Sequence, residues 1–278
     1  PMMSMKNITS NDPMNGAHCC LSCRKEIRRL NLTLFGRPFH PLPVCNCVKE
    51  KALLEERERE LAEKRARILR LYGDGLMDDE LKQASFENFE QRAGTENGLK
   101  IARMFVEKFE EQDAGLYFFG PVGNGKSHLA ASIHHQLLRK GYSSVFLNVN
   151  LLFRRLKSTF GSNSQKTDFD YIRAAMKCGI LTLDEIGLKP LSEYEFGVLY
   201  DILDGRKGKL TNFTSNLDLS RLKEWFTYDK DGKPLDLEGR AFDRVIGSTL
   251  PIQFKAQSSY REYKLQRRLK AIQGVYKV

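Results

Sequence analysis

The run Gly120-Pro121-Val122-Gly123-Asn124-Gly125-Lys126-Ser127, followed by His128, restricts the fold more than any other stretch of this chain. Its spacing is G-x-x-x-x-G-K-S. It lies between an apolar run, Leu116-Tyr117-Phe118-Phe119, and a segment with Leu129, Ile133 and Leu137 at four-residue spacing. A strand that turns through glycines directly into a helix is a phosphate cradle. The glycines let the backbone curl, the amide N–H groups point inward, and the helix N-terminus adds positive potential. The pattern predicts that residues 120–128 wrap a nucleoside triphosphate. Lys126 would reach the β- and γ-phosphates and Ser127 would bind Mg²⁺.

Further apolar runs at 145–149, 180–183, 210–214 and 250–254 read as strands, and 99–110 and 126–140 read as helices. Strands alternating with helices predict an α/β domain with a doubly wound parallel sheet. The run Ile180-Leu181-Thr182-Leu183 ends in Asp184 and Glu185. A carboxylate at a strand's carboxyl end, paired with an upstream phosphate loop, is placed to hold Mg²⁺, directly or through water. The second acid is placed to polarise an attacking water, which argues for hydrolysis and not binding alone.

Five of the six cysteines cluster near the start of the chain. No export signal is visible, so the cluster favours metal over disulfides. Cys20 and Cys23, then Cys45 and Cys47, offer four thiolates in two hairpin-like knuckles, enough for a tetrahedral zinc site. Cys19 could replace Cys20, and His40 one of the later cysteines. Cys178 reads as core. Residues 1–17 read as a disordered lead-in, 18–48 as the zinc-binding module, 49–84 as a charged helical linker, and 85–278 as the nucleotide-binding domain. The linker lacks Gly and Pro up to Leu71 and has only a thin apolar stripe through Leu53, Leu54, Leu61, Ile68 and Leu71. Tyr72-Gly73-Asp74-Gly75 ends it.

The net charge of +10 suits a polyanionic partner or a phosphate-bearing ligand. Phe153, Arg154, Arg155, Lys157 and Phe160 interleave cations with aromatics, a composition able to pair with phosphates and stack on bases of single-stranded DNA. No apolar run approaches the ~20 residues that span a bilayer, so a soluble, cytoplasmic protein without a membrane partner is expected.

With these motifs placed, residues 85–261 resemble the DnaC/DnaI/IstB group of AAA+ P-loop ATPases. The match runs through Ser85-Phe86-Glu87-Asn88-Phe89, the phosphate loop, Leu183-Asp184-Glu185-Ile186-Gly187, Thr214-Ser215-Asn216, Arg240-Ala241-Phe242-Asp243-Arg244 and Ser259-Tyr260-Arg261. The resemblance implies that Asn216 senses the attacking water or γ-phosphate. It implies that Arg244 is a finger entering a neighbouring subunit's ATP site, with Arg240 as competitor, and that Arg261 is a second sensor in its own subunit. Phe160 and Ser192 match DNA-facing positions of the group. The cysteine module resembles the zinc ribbon that precedes many loader domains, with gripping the helicase as its implied task.

As a whole, the resemblance implies an ATP-dependent loader. It would bind a DnaB-type hexameric replicative helicase, self-associate in the ATP state and place the helicase on single-stranded DNA. The other branch of the group, an IstB-like transposition ATPase acting on duplex DNA with a transposase, shares every core motif; the cysteine module and charged helix favour the loader. A binding module without turnover is disfavoured by the intact Asp184 and Glu185. The seventeen residues after Arg261 are too few for the duplex-binding domain of a DnaA-type initiator.

Overall fold

A computed structural model of the chain describes residues 18–72, 76–159 and 168–275. The predicted lead-in over 1–17, the predicted helix stop at 73–75 and Phe160 lie outside the described residues. The chain separates into two units, Pro1–Ala66 and Arg67–Val278.

The first unit holds two antiparallel hairpins, β1 (His18–Cys19) with β2 (Glu26–Ile27) and β3 (Leu32–Leu34) with β4 (Arg37–Phe39). Helix α1 (Asn46–Tyr72) begins in this unit. It starts earlier than the sequence suggested, so the second cysteine pair does not form a hairpin knuckle. Cys45 precedes the helix and Cys47 lies in its first turn. Leu53 and Leu54 are exposed, as a charge-rich helix with little apolar surface requires.

After the last residues of α1, the second unit continues with the single turn α2 (Asp79–Lys82) and α3 (Glu96–Glu107). Then come β5 (Gly115–Phe119), α4 (Lys126–Arg139), β6 (Ser144–Asn148), α5 (Val149–Thr159), α6 (Asp168–Lys177) and β7 (Ile180–Ile186). The remainder is α7 (Glu193–Gly205), β8 (Leu210–Ser215), α8 (Leu219–Thr227), α9 (Arg240–Ile246), β9 (Thr249–Gln253) and α10 (Tyr260–Val275).

Strands β6-β7-β8-β5-β9 form one parallel sheet in that order. Its apolar residues alternate between two cores, because successive strand side chains point to opposite faces. Leu116 and Phe118 of β5 and Phe146 of β6 join α3 and α4 on one face. Tyr117, Val145 and Leu147 join α5 to α9 on the other. Each such fully buried side chain contributes about 1.5–3 kcal/mol, so covering both faces with helices is what holds the sheet. All five predicted strands are present, four within one residue and β7 running three residues further, to Ile186, and the doubly wound class is as expected. Such a sheet places ligands at the carboxyl ends of its strands, where β5, β7 and β8 deliver the motifs. Cys178 is buried, as expected.

Two local departures shape the site. Against β8 the register of β7 slips between Leu183 and Ile186, and Glu185 takes a left-handed conformation with φ 59°. A bulge of this kind re-aims a side chain at a strand end. Glycines 120, 123 and 125 all have positive φ.

Candidate functional site

At Gly120, Gly123 and Gly125 the phosphate loop is packed too closely on its neighbours for any residue but glycine. A Cβ at Gly123 would lie 2.1 Å from Ser259 Oγ, and one at Gly125 would lie 2.4 Å from the Phe89 ring. Gly125, at φ 83° and ψ 14°, turns the chain into α4. Lys126 bends back over the cradle, donating 2.8 Å hydrogen bonds from Nζ to the carbonyls of Gly120 and Pro121. Burial pulls its ammonium down to about 8, against the opposing pull of Asp184 and Glu185. A cation half stripped of water beside a ring of amides is a strong receptor for phosphate.

Asp184 stands at the end of β7, fully buried. Burial pushes its carboxyl up to about 6, while hydrogen bonds from Thr214 and Ser127 pull the other way. The Thr214 hydroxyl donates to Asp184 Oδ1 at 2.5 Å and accepts from the Glu185 amide at 3.0 Å, so β8 fixes both acids of β7 through one side chain. The structure thus brings Ser127 and Asp184 together, as a shared magnesium requires.

Glu185 is held by a residue that sequence reasoning missed. Asn148, the cross-strand partner of Asp184, donates from Nδ2 to Glu185 Oε2 at 2.8 Å. Its Oδ1 accepts the amides of Asn150 and Leu151 at the start of α5. Nothing in a linear reading of a strand that ends in Asn predicts this pairing, which arises from the sheet order.

An open cleft of about 660 Å³ joins these groups; Asn216 and Arg261 line it, with Leu81, Phe89, Lys264 and Arg268. Cations, apolar side chains and a phosphate cradle in one cleft fit a nucleotide's three parts. Arg92, also unread in the sequence, ties the cleft's margins. It donates to the Gly123 carbonyl at 2.8 Å and the Ser258 carbonyl at 2.6 Å, with its guanidinium over the Tyr260 ring. His128 bonds the Ser85 carbonyl at 2.9 Å, so its ring anchors the segment ahead of α3. Asn124 Oδ1 is buried without a partner.

The other predicted residues lie elsewhere. Arg244 on α9 pairs with Asp204 at 3.4 Å, and Arg240 pairs with Glu238; neither lines the cleft. Ser192 caps α7 in a reciprocal capping box with Glu195. Lys157 is bound to that same Glu195 at 2.9 Å, while Arg154 and Arg155 are exposed on α5. Phe153 is buried in the core, so it cannot stack on bases as the sequence suggested.

In the first unit the sulfurs of Cys20, Cys23, Cys45 and Cys47 all lie within 4.8 Å of one another. Cys20 to Cys47, Cys23 to Cys45, and Cys45 to Cys47 are each 3.5 Å apart. That spacing fits thiolates around one tetrahedral zinc, with metal–sulfur bonds of about 2.3 Å. The backbone amides of Cys23 and Ser22 draw the Cys20 thiol down to about 6. Cys19 and His40, left open by the sequence, stand outside the quartet; His40 bonds Asn31 instead.

The model of the IstB-like ATP binding proteins matches residues 51–271 of this chain. The chain belongs to that family. A replicative helicase loader DnaC from Buchnera aphidicola of Schizaphis graminum is 31% identical over 204 residues, 72% of this chain and 78% of its own length. The Escherichia coli K12 protein of that name is 35% identical over 144 residues, 49% of this chain and 58% of its own. A crystal structure of DnaI is 29% identical with a TM-score of 0.54, covering 64% of this chain and 95% of that one. These relatives place the chain on the DnaC/DnaI side of an AAA+ P-loop ATPase family. Among the described residues no helix is long and apolar enough to cross a membrane.

Proposed function

We propose that this chain is an ATP-hydrolysing helicase loader. It binds a DnaB-type hexameric replicative helicase and helps place it on single-stranded DNA. The observation that supports this reading is a cleft that joins the phosphate loop around Lys126 to Glu185, in a chain whose relatives are named replicative helicase loaders.

With nucleotide bound, the amides of residues 120–127 and Lys126 would hold the phosphates, and Ser127 and Asp184 would hold magnesium, which would supply charge neutralisation at the phosphates. Glu185 accepts the proton of the attacking water once it leaves Asn148. Asn216 and Arg261 meet the γ-phosphate end from the cleft wall. Arg244, outside its own cleft, serves a neighbour's site, which requires self-association in the ATP state. Cys20, Cys23, Cys45 and Cys47 hold zinc, without which so small a module has too little core to fold. Arg154 and Arg155, with Lys157 once released from Glu195, face the DNA backbone.

The transposition ATPase remains the second reading because the matching family model is IstB-like. Pull-down of the purified chain with the replicative helicase and, separately, with a transposase of the same source separates the two. Capture of the helicase alone, with ATP turnover lost in Glu185→Gln, is the expected result. Capture of the transposase alone overturns the loader.

A further inference from the structure

Hairpin β3–β4 has an apolar side that no described residue covers. Both strands are exposed along their whole length. The register pairs Leu32 with Phe39 and Leu34 with Arg37, so Leu32, Leu34 and Phe39 share one face and Thr33 and Pro38 the other. All three apolar residues are about half exposed.

The tip sharpens this. Phe35 and Gly36 form the turn with φ of 53° and 76°. A two-residue turn with both central residues left-handed favours Asn-Gly, because a Cβ is strained there. Phenylalanine takes the strained place here, and its side chain is 98% exposed. Neither folding nor solubility is served by that choice, and strain held at an exposed aromatic is a mark of function. Around it the module has Arg24, Lys25, Arg28, Arg29 and Arg37 against Glu26 alone.

We infer that hairpin β3–β4 is a docking finger whose Phe35 tip and leucine face enter an apolar, acid-rimmed socket on a partner protein. The inference rests on the loader reading, in which that partner is the replicative helicase. A second copy of the chain would set the same cations against each other. A nucleic acid would satisfy the arginines but offers nothing to Leu32 and Leu34, which neither stack nor hydrogen-bond. The chain's own residues 1–17 hold one lysine and one aspartate, so they bring no complementary charge.

The test measures binding of the whole 278-residue, zinc-containing chain to the hexameric replicative helicase of its source, to labelled single-stranded DNA and to itself. Phe35→Asn gives the turn the residue it favours, so the hairpin stays folded while the anchor is removed. Loss of helicase affinity by tenfold or more in Phe35→Asn, with unchanged zinc content and ATP affinity, is expected. Arg37→Glu should also weaken binding and flatten its salt dependence. Wild type that binds the helicase while Phe35→Asn binds equally well overturns the finger and leaves the loader standing. Wild type that does not bind the helicase overturns both. A loss confined to DNA binding or to self-association overturns the finger in favour of those partners.

Discussion

Asn148 Nδ2 donates to Glu185 Oε2 at 2.8 Å, across the end of the sheet from the phosphate loop. The bulge in β7 and the left-handed backbone at Glu185 aim the carboxylate at this amide. While the bond holds, Oε2 shares its electron density with the amide and the carboxylate is a weaker base for a water's proton. Asn148→Asp keeps an oxygen for the Asn150 and Leu151 amides but replaces the donor with a like charge. Basal ATP turnover should rise several-fold, about 1 kcal/mol in barrier, with the fold intact. Steady-state phosphate release in the absence of helicase and DNA measures it; an unchanged or reduced rate would sink the restraint.

Asp184 makes the nucleotide-free protein less stable than it could be. Its folded-state carboxyl sits near 6, above the ordinary 3.8. A raised acid means the folded state binds its proton more tightly, so the charged form weakens folding above pH 6. That loss is recovered as pH falls from 6 towards 4. Asp184→Asn should therefore melt a few degrees higher at pH 7.5, roughly 1–3 kcal/mol, while losing magnesium-dependent nucleotide binding. Thermal melts of the two nucleotide-free proteins at pH 7.5 and pH 5 read this directly, and the gap should shrink at the lower pH.

How much of this was legible in the sequence depends on whether a role is local. The phosphate loop and the acid pair are contiguous runs whose chemistry is set by their own order, and both stand where expected. The strands were legible because each is a short apolar run ended by polar residues. Asn148 and Arg92 act through partners 37 and 31 positions away, contacts that only the folded chain creates. Helices α5 to α9 were not read from periodicity; α8 and α9 span only nine and seven residues, a short window for a 3.6-residue period. Ser192 and Lys157 were read as DNA-facing, yet both bind Glu195. Ser192-x-x-Glu195 has the spacing of a capping box, which the resemblance overrode, whereas nothing in the sequence around Lys157 points to Glu195.

Arg206 is a buried cation with no role in the cleft. Its guanidinium donates to the carbonyls of Ala175, Cys178 and Leu210 and to the Thr211 hydroxyl. It thereby closes the ends of α6 and α7 onto β8. Arg206→Leu removes the donors and leaves those oxygens buried, which costs about 1–3 kcal/mol for each group left unsatisfied. Urea unfolding should show a midpoint well below wild type, and nucleotide affinity of the surviving folded fraction should be unchanged. A midpoint within error of wild type would mean that water replaces the guanidinium.

Nucleotide affinity should fall on the alkaline side, and the cause is Lys126. Burial lowers its ammonium to about 8, so above that pH the cradle increasingly holds a neutral amine. Phosphate binds the charged form, so binding must take up a proton there. Kd then rises with pH by up to about tenfold per unit, the limit for one proton. Below pH 8 the lysine is charged and the effect vanishes. Titrations of a fluorescent ATP analogue with magnesium at pH 7, 8, 9 and 9.5 should show a flat region followed by this rise. Lys126→Arg stays charged throughout, so whatever weaker affinity it retains should be flat across the same range. A parallel rise in the arginine variant would assign the pH dependence to another group.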